Sequence, residues 1–259
     1  MKEVIVIPAR YASTRFPAKP LAKIAGKYLI ERVWELACRA LDPQQVIIAT
    51  DHQEIKTVAE SFGAKVVMTP ENCQNGSERV YAAIKDLNIQ PEIIVNFQGD
   101  AVLPPPWILK DLLDGLRDNS NYACATPVVK INNEQYESYQ ELRAKGNNSG
   151  TFAVINKDNQ ALYFSNAVIP YYRKENSNKE AYKHIGIYAY TYQGLENYLS
   201  FEKSDLEKIE ELEQLRMLEN GIDILTVPVD LKGRTMASVD NPEDVKIAEN
   251  IISQEGELI

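Results

Sequence analysis

The chain has 259 residues, 44% of them hydrophobic and 25% charged, with a formal net charge of −9. That composition excludes disordered, collagen-like and silk-like chains, and a chain of this length buries roughly three-quarters of its unfolded surface without disulfide staples. Net acidity argues against a broad nucleic-acid footprint, which needs a basic face, but leaves room for one anionic small molecule at a local cluster of Lys and Arg.

Residues 4–7 (VIVI) are a continuous β-branched run, the pattern of a strand buried on both faces. Pro8 stops it, and a polar loop follows over 9–20. Residues 29–41 read as a helix with Ile30, Val33, Trp34, Ala37 and Leu41 on one stripe. A second apolar run spans 46–50 and ends at Asp51; a helix follows over 54–62, with Gly63 at its C-cap, then a strand over 65–68. Asn75-Gly76-Ser77-Glu78 has capping-box spacing and opens a helix carrying Val80, Tyr81, Ile84 and Leu87. The next strand, 93–97, runs into Gln98-Gly99-Asp100. Strands alternating with helices in this way imply βαβ units and a mainly parallel sheet, an α/β fold whose ligands bind beyond the carboxyl ends of the strands. The loops after Ile7, Thr50 and Phe97 are therefore expected to bring Arg10, Asp51 and Asp100 near one another.

From residue 122 the texture becomes strand-rich: 122–129, 151–155, 161–165 and 184–190 all read as strands. Asp158-Asn159 suits a hairpin turn, and the polar stretch 173–180 reads as a mobile loop. Ser204 caps a helix running to Asn220, closed by Gly221; a strand follows over 225–229. Asp240-Asn241-Pro242 starts the last helix, with Asn241 as its cap. The sequence has no internal repeat. The three cysteines, Cys38, Cys73 and Cys124, are far apart, and only two histidines are present. A structural zinc site is therefore not expected, and free thiols in a reducing compartment are. With no signal-peptide pattern and no apolar stretch near the roughly 20 residues of a membrane helix, the chain is expected to be cytoplasmic, without membrane insertion.

Several constellations could carry chemistry. The first loop gathers Arg10, Arg15 and Lys19 after a buried strand, a set that can surround a polyphosphate while Ala12 and Ser13 let backbone N–H groups approach. The pattern is not a Walker A, and the plainer alternative is a solvated loop with scattered charges. Asp100 and Asp240 lie at strand ends and could together hold Mg²⁺, which favours one or two carboxylates plus phosphate oxygens. On residues alone, Asp240 reads better as a helix starter. His184 sits at the polar start of an apolar strand, where a lone histidine is more often structural. Glu210, Glu213 and Gln214, about one turn apart, can share a helix face. No GxSxG elbow or GxGxxG fingerprint points to a serine hydrolase or a dinucleotide enzyme.

The stretches IPARYASTRFPAKPLAKIAGK, ATDHQEI, NGSER, QGD, ALYFS, YKHIGIYAY, LEKIEELEQLRMLENG and VDNPED, in this order over nearly the whole chain, resemble the 3-deoxy-manno-octulosonate cytidylyltransferase family, the CMP-Kdo synthetases. The resemblance implies a nucleotide-diphospho-sugar transferase (Rossmann-like) fold in one domain over 1–259. Residues 1–120 would bind nucleotide, 121–230 the sugar and a second subunit, and 231–259 would supply the metal aspartate and closing helix. It implies transfer of CMP from CTP to the anomeric hydroxyl of Kdo, with release of pyrophosphate, by a homodimer that serves lipopolysaccharide synthesis. By the same resemblance Arg10, Arg15 and Lys19 hold the CTP phosphates, and Ala9, Gly76 and Ser77 lie near the nucleotide. Asp100 and Asp240 hold Mg²⁺, and Gln98, His184, Tyr188, Glu210, Glu213, Gln214 and Asn166 line the sugar pocket. The chain departs from the family at Ala101, where Glu is usual; at Asn166, usually Arg; at Phe152, where Lys aligns; at Cys73, usually His; and at Ala18, usually Gly. Loss of the Arg and the Lys bears on the acceptor, so two alternatives stand beside Kdo. One is the same chemistry on another ulosonic or nonulosonic acid; the other is a catalytically silent sugar-nucleotide-binding protein.

Overall fold

The computed structural model describes residues 2–12, 15–147, 150–174 and 178–259. Ser13, in the first loop, and residues 175–177 of the expected mobile loop lie outside them. In chain order the elements begin with β1 (Glu3–Ala9), the hairpin β2 (Lys23–Ile24) and β3 (Lys27–Tyr28), and α1 (Leu29–Ala37). They continue with β4 (Val46–Thr50), α2 (Gln53–Ser61), β5 (Lys65–Met68), α3 (Gly76–Asp86), β6 (Ile93–Asn96) and α4 (Trp107–Asp118). The second half holds β7 (Cys124–Ile131), α5 (Asn133–Ala144), β8 (Phe152–Ile155), β9 (Ala161–Ser165), β10 (Ala181–His184) and β11 (Tyr188–Thr191). It closes with α6 (Tyr192–Ser200), α7 (Asp205–Glu210), α8 (Leu215–Glu219), β12 (Ile224–Pro228) and α9 (Pro242–Glu255).

Among the described residues one large sheet runs through both halves in the order β5-β4-β1-β6-β11-β7-β10-β8-β9, with β12 paired to β7. Its first four strands are parallel, and from β11 onward the main path continues antiparallel. The period of two along a strand divides the core. Ile5, Ile7, Val46, Ile48 and Val95 face one side with α1, α2, α4 and α9. Val4, Val6, Ile47, Ala49 and Ile94 face the other with α3, α6 and α8. A βαβ chain must cover both faces of a parallel sheet, and this one does so with fully buried β-branched strands.

Several elements differ from the sequence-based expectation. The helix α1 stops at Ala37 rather than 41, because Arg39 and Ala40 turn with i−3 bonds to Leu36 and Ala37. The expected strand 184–190 is two strands, β10 and β11, separated at Ile185-Gly186-Ile187. The expected helix 204–220 breaks where Glu211 adopts a left-handed conformation, φ 55°. The helices α4, α5 and α6 were not expected; α4 follows three prolines, and α5 buries only Tyr136 and so carries little apolar signal. The Asp158-Asn159 turn joins β8 to β9 with Asn159 at φ 59°, a conformation Asn tolerates. Among the described residues, no helix is long and apolar enough to cross a membrane.

Candidate active site

The parallel register sets the site. Ala9 of β1 lies beside Thr50 of β4, and Val6 beside Asn96 of β6, so the loops leaving these strands emerge at one edge. There the Tyr11 N–H donates to Asp51 Oδ1 at 3.0 Å, and Lys19 Nζ donates to Asp100 Oδ2 at 2.8 Å. A cavity of about 320 Å³ opens beyond this edge, within the size range of small-molecule sites. Three segments form its wall. The first loop contributes Pro8, Ala9, Arg10, Arg15 and Lys19; the start of α3 contributes Cys73, Gln74, Asn75, Gly76 and Arg79; and Gln98, Gly99 and Asp100 follow β6. Asp240 completes it from the far end of the chain.

Asp240 reaches the cavity because the chain before α9 runs back along the segment after β6. Ala101 and Ser238 form an antiparallel bridge, and Val239 N–H donates to the Asp100 carbonyl at 3.1 Å. The N-cap position of α9 belongs to Asn241, and Asp244 Oδ2 accepts the backbone N–H groups of Asp240 and Asn241 at 2.8 Å each. The Asp240 side chain is thereby left to face the cavity, which corrects its reading as a helix starter. Its Oδ1 lies 3.1 Å from Arg15 Nη2 and 3.5 Å from Lys19 Nζ. The Lys19 ammonium thus sits between two carboxylates 140 positions apart in the sequence.

Small residues allow the close approaches. A Cβ on Gly99 would lie 2.6 Å from the Pro8 carbonyl oxygen, so the segment after β6 can cross β1 there only without one. A Cβ on Gly76 would crowd the Gln98 amide at 3.2 Å. Asn75 caps α3 by accepting Glu78 N–H at 2.8 Å, and Glu78 reaches back to Gln74 N–H rather than to Asn75 itself. The helix end and its partial positive charge therefore border the cavity at Gly76.

The other expected residues do not line this cavity. Ser77 is fully buried; its hydroxyl accepts from Asn96 Nδ2 at 3.2 Å and lies 3.5 Å from Glu213 Oε2. Tyr198 OH also donates to Glu213, at 3.0 Å, and burial raises the Glu213 pKa against those bonds. Gln214 accepts from Tyr188 OH at 2.9 Å. Both Glu210 carboxylate oxygens are engaged, by Ser165 Oγ at 2.7 Å and Asn166 N–H at 2.9 Å. Because Glu211 breaks the helix, Glu210, Glu213 and Gln214 do not share one helical face. His184 Nε2 lies 2.8 Å from Thr126 Oγ1, whose hydroxyl proton is directed to the Ile187 carbonyl at 2.8 Å. The imidazole must then be the Nε2–H donor, and burial lowers its pKa to about 3, so it is neutral. Ser77, Asn96, Thr126, His184 and Gln214 are buried, while Glu210, Glu213 and Asn166 are half-buried.

Arg79 was not singled out from sequence, although its place one turn after Gly76 puts it on the same face of α3. It is 3% exposed and donates to Asp51 Oδ2 at 2.8 Å and Thr69 Oγ1 at 2.6 Å. Among the described residues no group of three or more His, Cys, Asp or Glu is disposed to hold a metal ion.

Comparison with known proteins agrees with this geometry. Residues 4–224 match the cytidylyltransferase family model. A 3-deoxy-manno-octulosonate cytidylyltransferase of Maricaulis maris (strain MCS10) is 45% identical over 259 residues, 100% of both chains. An 8-amino-3,8-dideoxy-manno-octulosonate cytidylyltransferase of Shewanella pealeana is 40% identical over 252 residues, 96% of this chain and 98% of the other. Among solved structures, a CMP:2-keto-3-deoxy-manno-octonic acid synthetase complexed with CTP superposes with a TM-score of 0.88 at 34% identity, covering 98% of this chain and all of that one. The chain is a nucleotidyltransferase with the nucleotide-sugar transferase fold and belongs to the 3-deoxy-manno-octulosonate cytidylyltransferase family.

Proposed function

We propose that this protein transfers CMP from CTP to the anomeric hydroxyl of 3-deoxy-manno-octulosonate or a close relative, releasing pyrophosphate, in the cytoplasm and for surface lipopolysaccharide. The observation that carries the reading is the cavity in which Arg10, Arg15, Lys19, Asp100 and Asp240 converge from both ends of the chain. Arg10, Arg15 and Lys19 bind the triphosphate, and the N-terminal end of α3 at Gly76 and the wall at Ala9 receive the nucleoside. The acceptor hydroxyl oxygen attacks the α-phosphorus in line, and the bond to the bridging oxygen of pyrophosphate breaks. Fixed cations at Lys19 and the arginines lie where negative charge gathers in that displacement, and no covalent enzyme intermediate is required.

The two carboxylates suit a magnesium ion. The Lys19 ammonium already bridges Asp100 and Asp240 at 2.8 and 3.5 Å, so a cation between them is accommodated, and the donors are hard oxygens. A pair of carboxylates, with phosphate oxygens completing the shell, fits Mg²⁺ better than a dedicated protein cage. When bound, Mg²⁺ would make the acceptor hydroxyl a better nucleophile and neutralise charge on the leaving group. Gln98 faces the cavity and meets the acceptor first; His184, Tyr188, Glu210, Glu213, Gln214 and Asn166 do not line the cavity, and the reading assigns them to the acceptor side as residues behind its wall.

The reading assigns 1–120 to nucleotide, 121–230 to acceptor and subunit contact, and 231–259 to the second metal aspartate, within one domain. Homodimerisation draws support from the edge strand β9 and from Leu162 and Ile209, which are 57% and 76% exposed. Such an unpaired edge with apolar side chains invites a partner.

Pyrophosphate release with CTP, Mg²⁺ and Kdo, beside a panel of sugar acids, tests the function. Turnover with Kdo establishes the acceptor. The 8-amino-3,8-dideoxy sugar belongs on the panel, because a 40% identical relative bears that name. Turnover with it alone would make Asn166 and Phe152 determinants of the acceptor. Silence across the panel with intact CTP binding would instead favour a sugar-nucleotide-binding protein.

A further inference from the structure

We propose that Asp51 is a positioning residue that holds the cationic loop in register with α3, acting through Tyr11 on Lys19; this rests on the reading of the cavity as the CTP site. Asp51 sits at the carboxyl end of β4, its side chain only 9% exposed, and does not itself line the cavity. Its two oxygens serve opposite walls. Oδ2 accepts from Arg79 Nη2 of α3 at 2.8 Å, and Oδ1 accepts the Tyr11 N–H of the first loop at 3.0 Å. Arg79 is held in turn by Thr69 Oγ1 and the Pro70 carbonyl, at 2.6 and 3.4 Å, so it provides a fixed anchor.

Tyr11 is then fixed at three points. Its ring stacks on His52, beside Asp51, with centroids 3.7 Å apart and planes inclined by 21°. Its carbonyl accepts the Ala18 N–H at 3.1 Å, which closes the loop on itself. Ala18 holds a left-handed backbone at φ 54° and directly precedes Lys19, whose ammonium meets Asp100 and Asp240. A continuous path of hydrogen bonds and peptide units therefore runs from Arg79 through Asp51, Tyr11 and Ala18 to Lys19.

Stability alone does not require this arrangement. A buried ion pair is often matched by well-packed apolar groups, whereas removing one partner leaves an uncompensated charge. What a carboxylate supplies here, and an apolar side chain does not, is two acceptors at a fixed angle, one for each wall. In-line transfer depends on such placement, since a displacement of about 1 Å can cost about a hundredfold in rate.

A double-mutant cycle between Asp51 and Lys19 tests the proposal, with CTP binding read by calorimetry in Mg²⁺ and with KM and kcat from pyrophosphate release. Asp51→Ala is expected to weaken CTP binding about tenfold and raise KM for CTP to match, with KM for the sugar acid within about twofold. In a Lys19→Met background the same change should cost at most about threefold, because the group being positioned is gone. Asp51→Asn keeps the shape and an acceptor for Tyr11; it should lose about threefold in the native background and under twofold with Lys19→Met, and it carries the test if the alanine variant folds poorly. Equal losses in both backgrounds, or CTP binding by Asp51→Ala within about twofold of the native protein, would overturn the proposal. Failure of the native protein to bind CTP would instead overturn the nucleotide reading of the cavity.

Discussion

Replacing Lys19 by Met separates chemistry from stability. The ammonium lies 2.8 Å from Asp100 Oδ2 and 3.5 Å from Asp240 Oδ1, with the three side chains 16%, 31% and 38% exposed. Coulomb's law at 2.8 Å gives about 1.5 kcal/mol in bulk water and about 6 kcal/mol at an effective dielectric of about 20. Solvent reaches both aspartates, and measured pairs of this kind contribute about 1 kcal/mol or less each. The substitution should therefore cost at most about 2 kcal/mol of stability, a fall in Tm of roughly 4–8 °C for a chain of this size. On the role proposed for Lys19 its effect on the reaction is larger, because the cation would face charge that grows on the phosphates as pyrophosphate leaves. Loss of one such fixed group typically costs about a hundredfold to a thousandfold in rate. Thermal melting beside pyrophosphate release measures both. A rate within about threefold of the native enzyme, or a loss that merely tracks the unfolded fraction, would refute the role assigned to Lys19.

Three further substitutions probe the first loop, the seam between β1 and the segment after β6, and the buried histidine. Ala18→Gly relieves a left-handed backbone that costs a non-glycine residue about 1 kcal/mol, partly offset by the looser unfolded chain; a net gain of about 0.5 kcal/mol should appear as a small rise in Tm, and a fall would contradict it. Gly99→Ala places a Cβ 2.6 Å from the Pro8 carbonyl oxygen, and backbone cannot yield there as a flexible side chain would. It should lose about 1–3 kcal/mol in urea unfolding and raise KM for CTP, because that contact aligns two walls of the cavity. His184 gives an acid limb to stability. Above its ordinary pKa of 6.5 both folded and unfolded states hold it neutral, and it contributes nothing. From 6.5 down to about 3 only the unfolded state takes the proton, so stability falls with pH at up to about 1.4 kcal/mol per unit. Urea titrations from about pH 7 to about pH 5 should show a shallower slope for His184→Gln, and parallel slopes would count against the burial argument.

Much of the first half is legible without coordinates. The runs at 4–7, 46–50 and 93–97 are apolar except for Thr50 and Asn96, and such strands require cover on both sides. Asp51 follows its run directly and Asp100 lies three residues past the third, so the rule for parallel sheets brings them to the edge where Arg10, Arg15 and Lys19 stand. The second half was less legible. Its antiparallel strands are short, α5 buries almost nothing, and the break at Glu211 depends on one backbone conformation that no periodicity announces. Ser77 shows the same limit, since its place at a helix start suits phosphate contact equally well, and only the buried Asn96 and Glu213 beside it reveal that its hydroxyl points inward.

The alternation of buried strands and amphipathic helices, the caps at Asn75 and Asn241, and the gathering of cations after the first strand are all written in the order of the residues. These are properties of neighbours, governed by side-chain period, backbone propensity and local hydrogen bonds. It takes the tertiary contacts to show that Asp240 faces Lys19 rather than merely helping to start α9, that Arg79 and Tyr11 share one carboxylate, and that His184 is a neutral donor to Thr126. Each of these depends on groups far apart along the chain. Their meeting is set by strand register and by the antiparallel bridge at Ala101 and Ser238, which fix distance and angle where sequence proximity has no influence.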